Sequence, residues 1–322
     1  HELCGLWRGD WREADDSAPH LRAFTDRSPS DGGRPTMNDA GSIQGDLFAL
    51  DSPLLTEVRG ERSLMAFPFF ALSKGKWTKP LAYKTDAVSI EIVATSKGVA
   101  TIYDKEVLLY IASLMVAKLE AGVGVSQDFY FTAHDLFRVT GVNGSARSYA
   151  RLSDALERLQ GTQIKTNIEA GGEGQAGFFS WLSEAQLHYT KTKTGDKRLK
   201  AVKVRLCDWL YRAILRDRRV LDYAPSYFQL GPIERRLYEV ARSACVHGAV
   251  DVDLDELRLQ LGYQSSLKHF RYELKRIADE NSIPGFTFDL LEHVATSEKG
   301  RSRRNAGAGR VKITPRPLLA SA

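Results

Sequence analysis

TAHDLFRVTGVNGSARSYARLSDALERL, residues 132–159, is the stretch of sequence that decides the fold. Thr132, followed three residues later by Asp135, resembles a capping box that opens a short helix. Residues 141–144 contain two glycines and an asparagine, which favour a turn, and Ser145 can cap a longer second helix. The stretch therefore predicts a helix, a turn and a second helix.

The flanks of this stretch predict one more helix and a set of strands. Asp104 can cap a helix running to about Ala121, whose apolar residues recur with helical spacing. Downstream, three segments rich in β-branched and aromatic residues predict strands at 164–168, 178–189 and 202–206. The connector before the last strand is basic, so these strands predict a basic β-hairpin beside the helix-turn-helix.

The same order of elements returns in the second half of the chain. The pattern predicts helices at 232–246 and 265–280, with a short helix between them that Asp253 caps, and strands at 286–291 and 310–313. Leu136 aligns with Leu257 and Gly141 with Gly262, both at an offset of 121 residues. We infer a divergent internal repeat.

The repeat predicts an α+β fold of two tandem winged-helix domains, each a helix-turn-helix with a β-hairpin wing. We place the first domain at 61–207 and the second at 208–322, with a basic wing and tail. Residues 1–60 are rich in Asp, Ser, Gly, Pro and Arg and lack periodicity, so we predict that they are disordered. Met37 opens Met-Asn-Asp-Ala-Gly, and we interpret residues 1–36 either as an upstream extension or as an added, non-native stretch.

Charge favours a polyanionic partner. The net charge of the 322 residues is +5. Residues 1–60 carry 6 basic and 11 acidic side chains, which leaves 39 basic and 29 acidic side chains, a net charge of +10, in the remainder. Such an excess favours nucleic acid through counterion release. No apolar run is long enough for a membrane helix, and three cysteines without a CxxC pair favour a reducing cytoplasm.

In a helix-turn-helix the second helix enters the major groove, so it needs an apolar face toward its own core and an outer face of hydrogen-bond donors. Leu152, Leu156 and Leu159, together with Tyr149, form the predicted buried stripe of the first such helix. Phe270, Leu274 and Ile277 do so in the second. The predicted base-reading residues are Arg147, Ser148, Arg151, Lys268, His269, Arg271, Tyr272 and Lys275.

The two basic hairpins are predicted to hold phosphates without reading sequence. The candidates in the first wing are Lys191, Lys193, Lys197, Arg198 and Lys200, and those in the second are Lys299, Arg301, Arg303, Arg304, Arg310 and Lys312. The bland alternatives are an amphipathic surface helix for each recognition helix and a disordered basic loop for each wing. The repeat favours the DNA-binding interpretation of the helices.

Catalytic interpretations lack the residues that they need. The loop at 171–177 has no GK[ST] ending, so we predict a turn and not an ATP site. Asp251-Val-Asp-Leu-Asp255 has no complementary distal ligand, and helix capping is preferred to a cation site. A rolling-circle nicking enzyme would need clustered histidines beside a tyrosine, and the histidines here are scattered. We predict a protein that is not an enzyme and that has neither cofactor nor metal.

The chain resembles the plasmid replication initiator protein A family. The resemblance lies in Phe67-Pro-Phe-Phe-Ala-Leu-Ser-Lys, Val88-Ser-Ile-Glu-Ile-Val, Gly98-Val-Ala-Thr-Ile-Tyr-Asp104 and the run from Leu254-Asp-Glu-Leu to Gly262, and it spans about Leu64 to Leu291. It implies binding to repeated origin sequences in double-stranded DNA, opening of the neighbouring duplex and recruitment of the host initiator and helicase. By resemblance to iteron-binding initiators, it also implies a homodimer that represses its own promoter.

These observations predict a sequence-specific initiator of plasmid replication whose two recognition helices lie in successive major grooves, about 10–10.5 base pairs apart. A winged-helix transcription regulator would make the same DNA contacts without melting the duplex. The nicking enzyme is the third alternative. The three hypotheses remain open at the level of sequence.

Overall fold

The computed structural model describes residues 49–174, 177–191, 197–291 and 309–316. The helices are α1 (Arg62–Ala66), α2 (Lys105–Glu120), α3 (Ala133–Thr140), α4 (Ala146–Gly161), α5 (Asp208–Arg212), α6 (Pro232–Ala244), α7 (Leu254–Leu261) and α8 (Leu267–Glu280). The strands are β1 (Arg59–Glu61), β2 (Leu81–Lys84), β3 (Ser89–Val93), β4 (Asp128–Phe131), β5 (Gln163–Thr166), β6 (Leu182–Lys191), β7 (Lys197–Leu206), β8 (Val220–Asp222), β9 (Val250–Asp253), β10 (Phe286–Leu291) and β11 (Arg310–Pro315). A π-helical turn at Ala213–Asp217 and 3-10 turns at Pro225–Gln229 and Cys245–His247 connect them.

The fold is α+β and contains the same winged-helix topology twice. Helix α2 is followed by β4, the α3–α4 pair and the β6–β7 hairpin, and the sheet has the order β4-β7-β6. Helix α6 is followed by β9, the α7–α8 pair and the strands β10 and β11, and that sheet has the order β10-β11-β9. In both sheets the last strand lies in the centre, between the first and the second. The predicted internal repeat is therefore present in the strand order.

The first module carries an additional antiparallel sheet of order β2-β3-β5. Ile90 and Ile92 of β3 and Ile164 of β5 point into the core and are 1% exposed or less. A single hydrophobic cluster runs from Leu54 to Ile214, and at its centre the rings of Phe69 and Phe70 lie 5.3 Å from Trp181. Helices α3 and α4 pack on this cluster through their buried side chains.

The first core extends beyond residue 207. Trp209 and Leu210 of α5, together with Ile214, are 1% exposed or less and belong to the same cluster. Strand β1, from the start of the first module, pairs antiparallel with β8, which lies after α5. The described residues from Leu50 onward form one compact unit. The division into domains at 207/208 stays a prediction.

The predicted order–disorder boundary at residue 60 is wrong for residues 49–60. Leu54 is buried, and the backbone N–H of Asp51 donates to the Tyr130 carbonyl at 2.7 Å. The Asp51 carboxylate accepts from the Tyr130 N–H at 2.6 Å and pairs with Lys118. Apolar Leu54 and a paired aspartate anchor a segment whose composition alone favours disorder. The rest of the predicted disordered segment, with Met37, lies outside the described residues.

Most predicted helix boundaries lie within two residues of the observed ones, and the differences have local causes. Asp104 makes no capping bond to its helix, because its carboxylate instead accepts from the Thr101 N–H at 2.8 Å and from Arg158 at 2.7 Å. Ser266, not Ser265, caps α8. The strand predicted to begin at Phe178 begins at Leu182.

Two modules meet through buried polar groups. Lys105 Nζ of α2 lies 2.6 Å from Glu239 Oε1 of α6, and both side chains are fully buried. Glu239 also accepts from the hydroxyls of Tyr223 and Tyr227, at 3.0 and 2.7 Å. On the same surface Arg236 donates to the carbonyls of Met65 and Gln260. These contacts fix the second helix-turn-helix relative to α1 and α2.

Candidate nucleic-acid interface

The first helix-turn-helix consists of α3, the turn at 141–145 and α4. Gly141 ends α3 in the left-handed region, with φ of 72°, and the Ser145 hydroxyl accepts from the Ser148 N–H at 3.2 Å to start α4. Leu152, Leu156 and Leu159 are buried as predicted. The left-handed Gly141 and the Ser145 cap therefore set the start of α4, whose first turn lies at the surface.

Arg147 and Arg151 lie on the outer face of α4, one turn apart, and both are exposed. Neither pairs with a carboxylate among the described residues. Farther along the same helix, Glu157 pairs with Lys97 at 3.0 Å. The N-terminal half of α4 is thus its cationic half, and this is the end that approaches base edges in a groove-bound recognition helix.

Ser148 does not share this face. Its side chain is 8% exposed, and its hydroxyl donates to the Asn143 carbonyl at 2.7 Å. The predicted base-reading role of Ser148 is therefore corrected to a role in closing the turn. Tyr149, which was predicted to be buried, is 39% exposed and packs edge-on against Phe137 at 5.3 Å.

The second helix-turn-helix consists of α7, the turn at 262–266 and α8. Asp253 caps α7 by accepting from the N–H groups of Asp255 and Glu256, at 2.8 and 3.2 Å. Gly262 has a φ of 73°, as its counterpart Gly141 has 72°. Three side chains of α8 face the core and are 1% exposed or less, and they are Phe270, Leu274 and Ile277. The second unit thus repeats the first in its caps, its turn and its buried stripe.

The outer face of α8 carries more cations than that of α4. The predicted base-reading residues of this helix are all exposed, and they are Lys268, His269, Arg271, Tyr272 and Lys275. Tyr272 is 68% exposed, an unusual fraction for an aromatic side chain of a helix with a core of its own. None of the three cations pairs with a carboxylate among the described residues. Arg276 differs, because it pairs with Glu273 and Glu280 at 3.3 and 2.8 Å.

The first wing is cationic toward its tip and neutral at its base. Lys191 lies opposite Lys197, Thr190 opposite Arg198, and Lys200 falls at an irregularity in the ladder. All four cations are exposed. At the base, Lys203 pairs with Glu184 at 3.1 Å and Arg205 with Asp128 at 2.6 Å. Lys193 lies outside the described residues.

The described part of the second wing is its base, and there the cations lie among acids. In the register of the sheet, Lys312 of β11 lies between Asp289 of β10 and Asp251 of β9. Arg310 donates to the Asp251 carbonyl at 3.4 Å. The cations of the connecting segment lie outside the described residues, and they are Lys299, Arg301, Arg303 and Arg304. The phosphate contacts predicted for this wing, including those of Arg310 and Lys312, stay a prediction.

The features tested for other chemistry have structural explanations. Asp253 caps α7, and Asp255 pairs with Arg258 at 2.8 Å, so the Asp251–Asp255 run serves the helix start. Within the described ranges, no group of three or more His, Cys, Asp or Glu side chains is placed to hold a metal ion. Among these residues there is also no helix both long and apolar enough to cross a membrane. Cys207 and Cys245 are free and buried, and burial raises the pKa of the Cys207 thiol to about 12 and that of Cys245 to about 11.

Sequence reasoning missed the residues that support the second recognition helix. Tyr263 hydrogen-bonds His269, Arg258 holds the turn, and Pro68 packs against Gly262. Arg258 lies in α7, Tyr263 follows Gly262, and Pro68 belongs to the Phe67-Pro-Phe-Phe motif. Their contacts were not visible in the sequence, because contacts of this kind give no periodic signal.

Comparison with known proteins places the chain in a family. The family model described as "Replication initiator protein A" matches residues 59–288. A relative from Wigglesworthia glossinidia brevipalpis, named "Putative replication protein", is 31% identical over 267 residues, which cover 79% of this chain and 93% of the relative. The profile match covers the first module and the second as far as β10, and the relative is matched over nearly its full length.

Solved structures of domains 2 and 3 of RctB have a similar fold. A selenomethionine derivative gives a TM-score of 0.56 at 15% identity and covers 80% of this chain and 98% of that one. A second structure of these domains gives a TM-score of 0.50 at 14% identity and covers 80% and 96%. At this identity the likeness concerns the fold alone, a tandem arrangement of domains. From the profile match and the full-length relative, the chain belongs to the replication initiator protein A family.

Proposed function

We propose that the protein is a sequence-specific, duplex DNA-binding initiator of plasmid replication. The observation that carries the proposal is the repetition of one exposed surface. In each module, the outer face of the recognition helix carries exposed cations that pair with no described carboxylate. These cations are Arg147 and Arg151 on α4, and Lys268, Arg271 and Lys275 on α8. The cations occupy different positions along the two helices, but in both modules they lie on the outer face of the second helix, where a recognition helix contacts DNA.

The two helices would enter successive major grooves on one face of the duplex, with centres about 10–10.5 base pairs apart. Arginine and lysine would donate to guanine O6 and N7, and the wings would hold the phosphates. The first wing is suited to this, because its described cations nearest the tip pair with no described carboxylate, while Lys203 and Arg205 at its base pair with acids. The buried contacts between α1, α2 and α6 support a fixed spacing of the two helices, which favours reading of a long composite site.

Family membership supports the role in replication. We propose that the DNA sites are repeats in an origin, that binding promotes opening of the adjacent duplex, and that the host initiator and helicase are then recruited in the cytoplasm. A homodimer of the same chain would repress its promoter. The protein would act by binding and deformation of DNA, without catalysis of a covalent step.

The test is permanganate footprinting of a supercoiled plasmid that carries the protein's own origin, with host replication proteins present. We expect reactive thymines in an AT-rich segment beside the protected repeats, and none with a variant in which Arg147, Arg151 and Arg271 are all replaced by Ala. Protection without reactive thymines would favour a transcription regulator. Conversion of the plasmid to open circles with a divalent metal would instead establish a nicking enzyme.

A further inference from the structure

His269, in the first turn of α8, is held by a neighbour in the preceding turn. The hydroxyl of Tyr263 lies 2.6 Å from His269 Nδ1. The two rings are nearly parallel, at an interplanar angle of 18° and a centroid distance of 6.2 Å. The hydrogen bond and the parallel ring of Tyr263 therefore hold the imidazole of His269 in one orientation, although the side chain is exposed.

Tyr263 is itself anchored to the core and to the turn. Its ring lies 5.2 Å from that of Phe270, which is fully buried. Its backbone N–H donates to the Arg258 carbonyl at 3.1 Å, and the Arg258 guanidinium reaches the carbonyls of Tyr263 and Ser265 at 3.4 and 3.3 Å. Contacts therefore connect the buried Phe270 through Tyr263 to the imidazole ring of His269.

The direction of the hydrogen bond between Tyr263 and His269 depends on the tautomer of His269. Burial raises the pKa of Tyr263, so its hydroxyl keeps its proton and can donate. A neutral imidazole has one nitrogen that accepts and one that donates, and the hydrogen bond of the first decides which is which. If Nδ1 accepts from Tyr263, the proton lies on Nε2, which has no partner among the described residues.

We infer that Tyr263 is a positioning residue for base recognition, and that it makes His269 present a fixed Nε2–H donor to an acceptor on a base edge in the major groove. We assign guanine, because it offers two acceptors at this edge, N7 and O6, whereas adenine and thymine offer one each and cytosine offers a donor. The inference rests on the proposed DNA-binding function and adds a specificity determinant to it.

The experiment uses the full chain and a duplex that the wild-type protein selects from a random library. Methylation of guanine N7 by dimethyl sulfate should block wild-type binding at one guanine per site facing α8. In Tyr263→Phe, which keeps the ring on Phe270, that interference should weaken and affinity for the selected duplex should fall by about three- to tenfold, because an ordered side chain becomes free. Affinity for random duplex should not change. His269→Ala should lose the interference at this guanine altogether.

Tyr211→Phe is the matched control. It also removes a phenol hydrogen bond, to the Val125 carbonyl at 3.0 Å, but in the first module. It should keep both the interference pattern and the affinity ratio of the wild type. If Tyr263→Phe keeps them too, the inference is wrong while the proposed function stands. If the wild-type protein selects no site, the proposed function fails, and the inference fails with it.

A second measurement is independent of the variant's folding. Nitrogen-15 chemical shifts of the neutral His269 ring in the wild-type protein should show a proton on Nε2 and none on Nδ1. The opposite tautomer would overturn the inference, because Nε2 could then only accept.

Discussion

Two arginines of α8 differ in their carboxylate partners, and we propose that only the unpaired one contacts DNA. Arg271 is exposed and free of described carboxylates, whereas Arg276, five positions on, is held between Glu273 and Glu280. Exposure alone would not distinguish them, since both lie on the outer part of the helix. The two arginines differ in whether the guanidinium is already paired with a carboxylate.

We therefore predict that Arg271→Ala weakens binding to the selected duplex by about 1–3 kcal/mol, the worth of a bidentate guanine contact. Binding to random duplex should fall much less. Arg276→Ala on the same helix should leave the ratio of the two affinities unchanged. Gel-shift titrations of the three proteins on both duplexes measure this, and equal losses for the two variants would refute the distinction.

At this scale the sequence predicted exposure well and hydrogen-bond partners poorly. Helical spacing was enough to place Arg147, Lys268 and Arg271 on outer faces. It could not show that the Ser148 hydroxyl turns back to the Asn143 carbonyl, because serine is as common in a turn as on a polar face. For the same reason, the sequence could not show that the Tyr263 hydroxyl hydrogen-bonds to His269.

At the scale of elements, three helix starts were predictable because their N-cap residues are recognisable in the sequence. Thr132, Ser145 and Asp253 all cap as predicted, and each accepts from N–H groups of the first turn. The wings were predictable as strands but not as charge distributions. The register that brings Asp251 and Asp289 to either side of Lys312 depends on the pairing of three strands, which no local pattern specifies.

The turn between α7 and α8 should tolerate no side chain at Gly262. Its φ is 73°, and a Cβ there would lie 2.9 Å from Cβ of Pro68 in the other module. We predict that Gly262→Ala lowers the free energy of unfolding by about 2–4 kcal/mol, from left-handed strain and overpacking together. Gly124→Ala, at a glycine with nothing near its absent Cβ, is the control. Urea denaturation measures both, and a fully stable Gly262→Ala would contradict the assigned contact.

At the scale of the whole molecule, the charged pair of Lys105 and Glu239 is buried between the two modules. Burial lowers the pKa of Lys105 from 10.5 to about 8, although Glu239 opposes the shift. No sequence pattern announced this pair, because its members are 134 positions apart and each is an ordinary charged residue of an amphipathic helix. Contacts at that separation are a property of the tertiary fold alone.

The sign of the resulting pH dependence follows from proton binding. Between pH 8 and pH 10.5 the unfolded chain keeps a proton on Lys105 that the folded chain has released, so this group makes the protein more stable as pH rises. We predict that the difference in unfolding free energy between wild type and Lys105→Met changes in favour of the wild type across this window. The control Lys97→Met removes a hydrogen bond with Glu157 that raises the pKa of Lys97, so this variant should change the slope only slightly and in the opposite direction. Parallel curves for wild type and Lys105→Met, from urea denaturation at several pH values, would show that Lys105 titrates normally.

The most direct test of the account is a footprint of the full chain on its selected duplex. Two recognition helices held in one compact unit should protect two major-groove patches whose centres lie about 10–10.5 base pairs apart. Replacing both Arg147 and Arg151 by Ala should remove one patch, and Arg271→Ala should weaken only the other. A single patch, or two patches that both variants affect equally, would contradict the claim that the two modules read DNA as a pair.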